Sequence, residues 1–385
     1  MDRKLLVVGD DGFFTVLNFD PGKKELDITV PFQAADNVSW VEPVSSQGGI
    51  HRLVGLSEGD DAGLLHSFEI NLTQSNCRLT GQKSTLGAPV HLVTLRDQSA
   101  LAVATYLGGS VALYPISITE TDGLVFENSP QTEVFPQFPY QSVQHGPNEG
   151  RQRQCHVHQV IESAKGLLYA PDLGSDRVWI FRRVEMKLGL WGWLQCPPGT
   201  GPRHGVISPD QSIMYVIGEL SHTVLAFDLS ISPPVAIQPI DGFAPNVIPP
   251  NVHPDHQFMM DSGEICLHPS IPNVIYVSNR WERHISKRQP HLQNVPEDLP
   301  EGDAVAIILL SNNGRAVEDI KHVRTGLDVI RAMRLSDDGK YVAVAGQECD
   351  GLEIYEIGGK KGDEWILVAS MRSELPKGLK HVIWL

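Results

Sequence analysis

The sequence predicts an all-β chain, a seven-bladed β-propeller closed by pairing of its N- and C-terminal strands in one blade. Three observations predict it: a repeated two-strand unit, a nearly constant step within each unit, and half-units at the two ends. The unit is an apolar strand, a polar turn of about five residues and a second, alternating strand. LLYAPDLGSDRVWIF (167–181) and IMYVIGELSHTVLAF (213–227) are clear copies. The same shape returns at 101–114, 274–285 and 342–355, and more weakly at 53–68 and 5–19, making seven copies.

A short strand precedes each good copy. From His91 to Tyr106, His158 to Leu173, His204 to Glu219 and Ile265 to Arg280 the step is 15 residues, and from Arg331 to Gln347 it is 16. HVIWL at 381–385 reads as a first strand with nothing after it, and KLLVVGDDGFF as a second strand with nothing before it. Joined, His381 to Asp11 again counts 15 residues. One blade is therefore built from both termini, which hides two sheet edges. A β-sandwich or two smaller β-domains is the rival reading. No Pro/Gly/Ser linker divides the chain, so a single domain is expected over 1–385. Insertions at 115–154, 228–263 and 286–303 are expected as loops between strands, and loops at a propeller mouth commonly build the binding site.

Composition agrees. Among 385 residues, 41% hydrophobic content suffices for a sizeable core, and Gly 35 with Pro 27 implies many turns. A formal net charge of -15 without a Lys/Arg-rich run argues against nucleic acid and anionic membranes as partners. An anionic substrate would need a local positive pocket. The five cysteines (Cys77, Cys155, Cys196, Cys266, Cys349) are scattered and form no C-x-x-C pair, which points to a reduced compartment. The N-terminus reads as strand and turn, and no apolar stretch of about 18 residues occurs. A cytosolic protein is expected.

In a propeller the first strands line the central channel and the turns after the second strands lie near one mouth. The aligned turn positions are Asp11, Asp60, Tyr106, Leu173, Glu219, Arg280 and Gln347; the aligned first-strand positions add His91, His158, His204, Arg331 and His381. Arg203 stands just before His204. Arginines grip carboxylates and phosphates through paired hydrogen bonds and stabilise a developing oxyanion. Glu219 can give or take a proton, and His158 is expected to titrate near neutrality as a general acid or base. The bland reading is an Arg203–Glu219 structural ion pair and channel histidines bonded to backbone. His253, Asp255 and His256 invite a metal reading, but they lack a matching second pair, so no metal is expected. No G-x-G-x-x-G, P-loop or G-x-S-x-G is present, so no cofactor is called for.

Several segments carry a resemblance. PRHGVISPDQSIMYVIGELSHTVLAFDL, HVHQVIESAKGLLYAPDLGSDRVWIF, SGEICLHPSIPNVIYVSNR and VIRAMRLSDDGKYVAVAGQ resemble the seven-bladed propeller lactonases. That family includes bacterial-type 6-phosphogluconolactonase and the fungal-type 3-carboxy-cis,cis-muconate lactonizing enzyme, a cycloisomerase. The likeness is good over about 145–357. GPNEGRQRQCHVHQV is similar to the family's Gly-Pro-Asn, Arg-Gln and His-x-His run. The resemblance implies a catalytic group of His158 (in HQV), Arg203 (in PRH), Glu219 (in GEL) and Arg280 (in SNR). Arg331, Gln347, His204, Glu264 and His156 are the expected substrate-binding residues. Two family features depart: a PRN-type motif reads IRAM here, and the muconate enzyme's His-Ser-Asn is absent.

Three functions are open at this point. The first is hydrolysis of a small anionic, sugar-acid type lactone. The second is cyclisation of a muconate-like dicarboxylate, for which a protonated Glu219 or His158 would deliver a proton to carbon. The third is a non-catalytic interaction platform with Trp191 and Trp193 as a protein contact.

Overall fold

A computed structural model describes residues 2–119, 123–127, 132–232, 236–282 and 300–385. Its strands form seven mainly antiparallel sheets, blades 1 to 7 in chain order, with blade 2 over 38–86, blade 3 over 89–134, blade 4 over 161–195, blade 5 over 202–228, blade 6 over 261–324 and blade 7 over 330–371. Blade 1 holds Arg3–Val8, Phe13–Asp20 and Glu25–Gln33, with His381–Trp384 as its inner strand. The register is Leu5↔Trp384, Leu6↔Ile383, Val7↔Val382 and Val8↔His381. The two half-units of the sequence thus meet as expected.

Packing closes the ring. Seven apolar clusters lie one between each neighbouring pair of blades. Leu5, Leu17 and Phe19 of blade 1 meet Ala332, Ala343 and Ala345 of blade 7, large side chains filling the space over small ones. The same complement recurs where Trp179 and Phe181 of blade 4 meet Ala102 and Ala104 of blade 3.

The insertions are not all loop. Gly123–Phe126 and Thr132–Val134, inside 115–154, both pair with Ser110–Thr119 and extend blade 3. Within 228–263, Ala236–Ile237 pairs in parallel with the outer strand of blade 4, and Pro254–Met259 is a 3₁₀ helix. His253 there accepts a hydrogen bond from Asp255 N, while His256 is buried. Most of 286–303 lies outside the described residues. Blade 5 has three strands, and its outer edge is covered instead by 240–245, through Ile240 N to Ala226 O (2.7 Å) and Val224 N to Pro245 O (3.1 Å). Trp191 and Trp193 lie on blade 4's outer strand beneath the guanidinium groups of Arg182 and Arg177, 4.5 and 4.4 Å away.

One irregularity positions the site. In five blades the pairing of first to second strand slips at the same place: Val38/Trp40, Pro89/His91, Pro202/His204, Ser262/Ile265 and Ile330/Ala332. A bulge of this kind interrupts the alternation of side chains, so consecutive residues can face one way. Ser39 with Trp40, and Arg203 with His204, both face the axis as a result.

Removing 381–385 would strip blade 1 of its inner strand. The shortened chain is expected to lose amide-exchange protection over Arg3–Val8 and to melt at a lower temperature. Unchanged exchange there would contradict the closure.

Candidate active site

The turn after the second strand of blade 5 carries Glu219 to the channel mouth, directly behind the strand Ile213–Gly218. Its side chain is 4% exposed and meets three guanidinium groups. Arg151 Nη2 donates to Oε1 at 2.6 Å. Arg203 Nε and Arg280 Nη2 lie 2.9 and 3.1 Å from Oε2. Arg203 Nε is out of line for a hydrogen bond, so that contact is mainly electrostatic. Backbone carbonyls fix the arginines further: Arg203 Nη1 donates to Gly263 O (2.8 Å) and Arg280 Nη2 to Ser262 O (3.0 Å). Gly263 sits in the bulge of blade 6, where a Cβ would come within 2.6 Å of Ser278 Oγ and 2.8 Å of Ile330 O. Arg280 Nη1 makes no hydrogen bond among the described residues.

Burial alone would raise the pKa of Glu219. Arg280, Arg151 and Arg203 together outweigh it and hold the group down at about 2. Arg203 feels the opposite pressure: burial, then repulsion from Arg280, lowers it to about 10. Glu219 is therefore a carboxylate, and the arginines are charged, at neutral pH. With Asp261 3.7 Å from Arg151 Nη1, three guanidinium groups face two carboxylates and the cluster is net positive within an acidic protein.

His158 lies one layer deeper. With Ser39, Arg203, Arg331 and Lys380 it lines an axial void of about 10 Å³ for a water's centre, room for one water. Its Nδ1 is buried and has no hydrogen-bond partner among the described residues. Burial first, and then Arg203, His204, Arg280 and Arg331, hold its pKa well below the ordinary value. In place of the expected titration near neutrality, His158 is a neutral imidazole, because burial first, and then four polar or cationic neighbours, oppose a further positive charge.

The remaining expected residues fall in three places. Arg331 joins the void but is tied to Glu58 Oε1 (2.7 Å) and to Gln347 Oε1 (3.4 Å). His156 faces Tyr106, stacked at 4.2 Å, with its Nδ1 2.9 Å from Tyr106 O. His204 lines the void as well and is bonded to Glu264 at 2.7 Å, each being 2% exposed; Glu264 also takes Arg334 Nη1 at 3.0 Å. The structure thus gives those two a supporting place under the mouth. Asp11, Asp60 and Leu173 do not join the cluster: Asp11 accepts from Lys377 N, Asp60 is exposed, and Leu173 is packed in the interior.

The repeat pattern missed three neighbours. Arg151 comes from the 115–154 insertion and also contacts Tyr106 Oη at 3.3 Å; its signal was the Arg-Gln run ahead of His156. Asp261 opens blade 6. His222, whose Nδ1 is 3.3 Å from Ser262 Oγ, follows Glu219 by three residues and has no repeat counterpart.

Fold and cluster define a propeller with a positive, arginine-lined mouth around one buried carboxylate. The chain belongs to the seven-bladed propeller lactonase family: residues 8–374 match the family described as Lactonase, 7-bladed beta-propeller. It is 25% identical over 352 residues to a probable 6-phosphogluconolactonase of Arthroderma benhamiae, covering 90% of this chain and 80% of that protein. It is 27% identical over 179 residues to 6-phosphogluconolactonase of Bacillus subtilis, covering 46% of this chain and 48% of that one. The solved structure of a periplasmic gluconolactonase from Pseudomonas aeruginosa has the same fold, with TM-score 0.77 and 20% identity over 100% of this chain and 99% of that one.

Glu219→Gln leaves Arg151 and the buried Arg203 and Arg280 without their shared anion. It is expected to destabilise the chain by about 3 kcal/mol in denaturant unfolding at pH 7. Because the folded pKa is depressed from 4.5 to about 2, this stabilisation is complete above about pH 4.5 and is lost as pH falls toward 2. The variant should lack that part of the acid limb; identical stability–pH curves would contradict the ion cluster.

Proposed function

We propose that the chain hydrolyses a small anionic lactone of the sugar-acid type, as 6-phosphogluconolactonases do. The observation that carries this reading is the cluster of three guanidinium groups on one buried carboxylate, with Arg280 Nη1 left open as a donor. The net positive mouth attracts the anionic substrate. The lactone carbonyl oxygen takes hydrogen bonds from Arg280 and Arg203 as it becomes an oxyanion. A water attacks the carbonyl carbon and gives its proton to the unpartnered Nδ1 of His158. The ring C–O bond then breaks, and the same proton passes to the leaving alkoxide. Lactone and water become a hydroxy acid, which ionises at neutral pH. An imidazolium beside several guanidinium groups is unfavourable, so His158 passes the proton on readily. Glu219 holds the arginines in position and takes no proton.

The same protonation states weigh against cyclisation. Closing a muconate-like diacid needs a proton donor at rest, and both Glu219 and His158 are deprotonated at neutral pH. The five unpaired cysteines favour the cytosolic setting.

Arg280→Ala should lower kcat on 6-phosphogluconolactone by about 10²–10³, on the order of 3 kcal/mol. Wild-type rates in that variant, or diene consumption without lactone opening, would overturn the reading. His158→Phe should lose about 10²-fold or more. Since the folded pKa of His158 is depressed, wild-type kcat/KM should stay level through pH 6.5 and fall only well below it. A half-maximum near neutrality would contradict this base.

A further inference from the structure

The channel has a second mouth, at the other end of the first strands, beyond the stack of Trp40 with His91 and His381 at 4.1 Å each. It opens into a cavity of about 650 Å³ to which six blades contribute. That volume lies in the range of small-molecule sites. It is far larger than the one-water void on the other side of the stack.

Polar groups converge on its floor. Gln159 is 8% exposed and accepts from Gly205 N at 2.7 Å through Oε1, while its amide NH₂ has no partner among the described residues. That NH₂ is open to the cavity, where a ligand or solvent can accept from it. Opposite stand Arg334, stacked on Trp40 at 4.5 Å, and the carboxyl of Glu42, which accepts a long bond from Thr94 N at 3.3 Å. Burial raises the pKa of Glu42 to about 7, against the pull of Thr94 and Arg334, so this group both donates and accepts hydrogen bonds near neutrality.

The charges select the ligand class. The cavity is lined by two arginines, Arg96 and Arg334, and by four carboxyl groups, Glu42, Glu162, Glu264 and Asp337. Glu264 is satisfied by His204 and Arg334, and Glu162 takes the backbone N–H of Arg96 at 2.7 Å. The balance is negative, which opposes an anion, while the Arg334 guanidinium on the floor opposes a cation. Interleaved donors and acceptors fit hydroxyl groups, each of which gives one and takes one hydrogen bond.

We propose that this second mouth binds a small uncharged polyhydroxylated molecule of the sugar class, separately from the arginine-lined mouth. The test is calorimetric titration of the full chain with D-glucose and D-sorbitol, with D-gluconate as an anion of similar size. Two variants accompany it: Glu42→Ala, which removes a polar lining group, and Val93→Trp, which adds bulk to the lining and keeps the polar groups intact. Thermal melts check that both remain folded. Saturable binding of glucose or sorbitol is expected, weakened at least about tenfold in each variant, with gluconate weaker than either. Three results would each overturn the proposal: no saturation up to about 100 mM, affinity unchanged in both variants, or preference for gluconate.

Discussion

Everything at the arginine-lined mouth depends on one buried carboxylate shared by three guanidinium groups. Taking such charges out of water costs several kcal/mol per ion, and only close opposite charge and further hydrogen bonds offset it. Glu219 supplies the negative charge; Ser262 O and Gly263 O take up some of the arginine donors. The arginines come from the 115–154 insertion, the first strand of blade 5 and the second strand of blade 6. No single blade can assemble this cluster. Circular closure and the interblade apolar clusters hold the three segments within reach of one oxygen pair.

The repeat made the closure legible, since the 15-residue step joined His381 to Asp11 as it joined His204 to Glu219. The same arithmetic brought Glu219 and Arg280 to equivalent turns. What it could not carry was anything outside the period. Arg151 lies in an insertion, where no register predicts its direction. The bulges were equally hidden: strict alternation would turn Arg203 and His204 to opposite faces, and a one-residue slip turns both inward. Strands in 115–154 and the three-stranded blade 5 depend on how outer edges find cover, which local sequence does not encode. The protonation state of His158 likewise follows from burial and from neighbours on other blades, which no spacing along the chain reveals.

The channel opens at two mouths placed end to end. Trp40, His91 and His381 pack across its waist, and Glu264 ties His204 to Arg334 beside them. Burial and its neighbours, despite Glu264, lower the pKa of His204 to about 4, so the waist histidine nearest the arginines stays neutral. A neutral waist adds no further cation beside the crowded guanidinium groups above it. It also closes the channel, so the two mouths present different chemistry: positive and tightly ion-paired on one side, acidic and roomy on the other.

A crystal structure with 6-phospho-D-gluconolactam bound tests the shared carboxylate most directly, because this lactam carries an anionic group as the proposed substrate does, keeps the ring carbonyl and resists opening. The account predicts its carbonyl oxygen within hydrogen-bond distance of Arg280 Nη1, with Glu219 still touching Arg151, Arg203 and Arg280. An analogue seated elsewhere while that mouth stays empty, or guanidinium groups directed away from the Glu219 carboxylate, would contradict it.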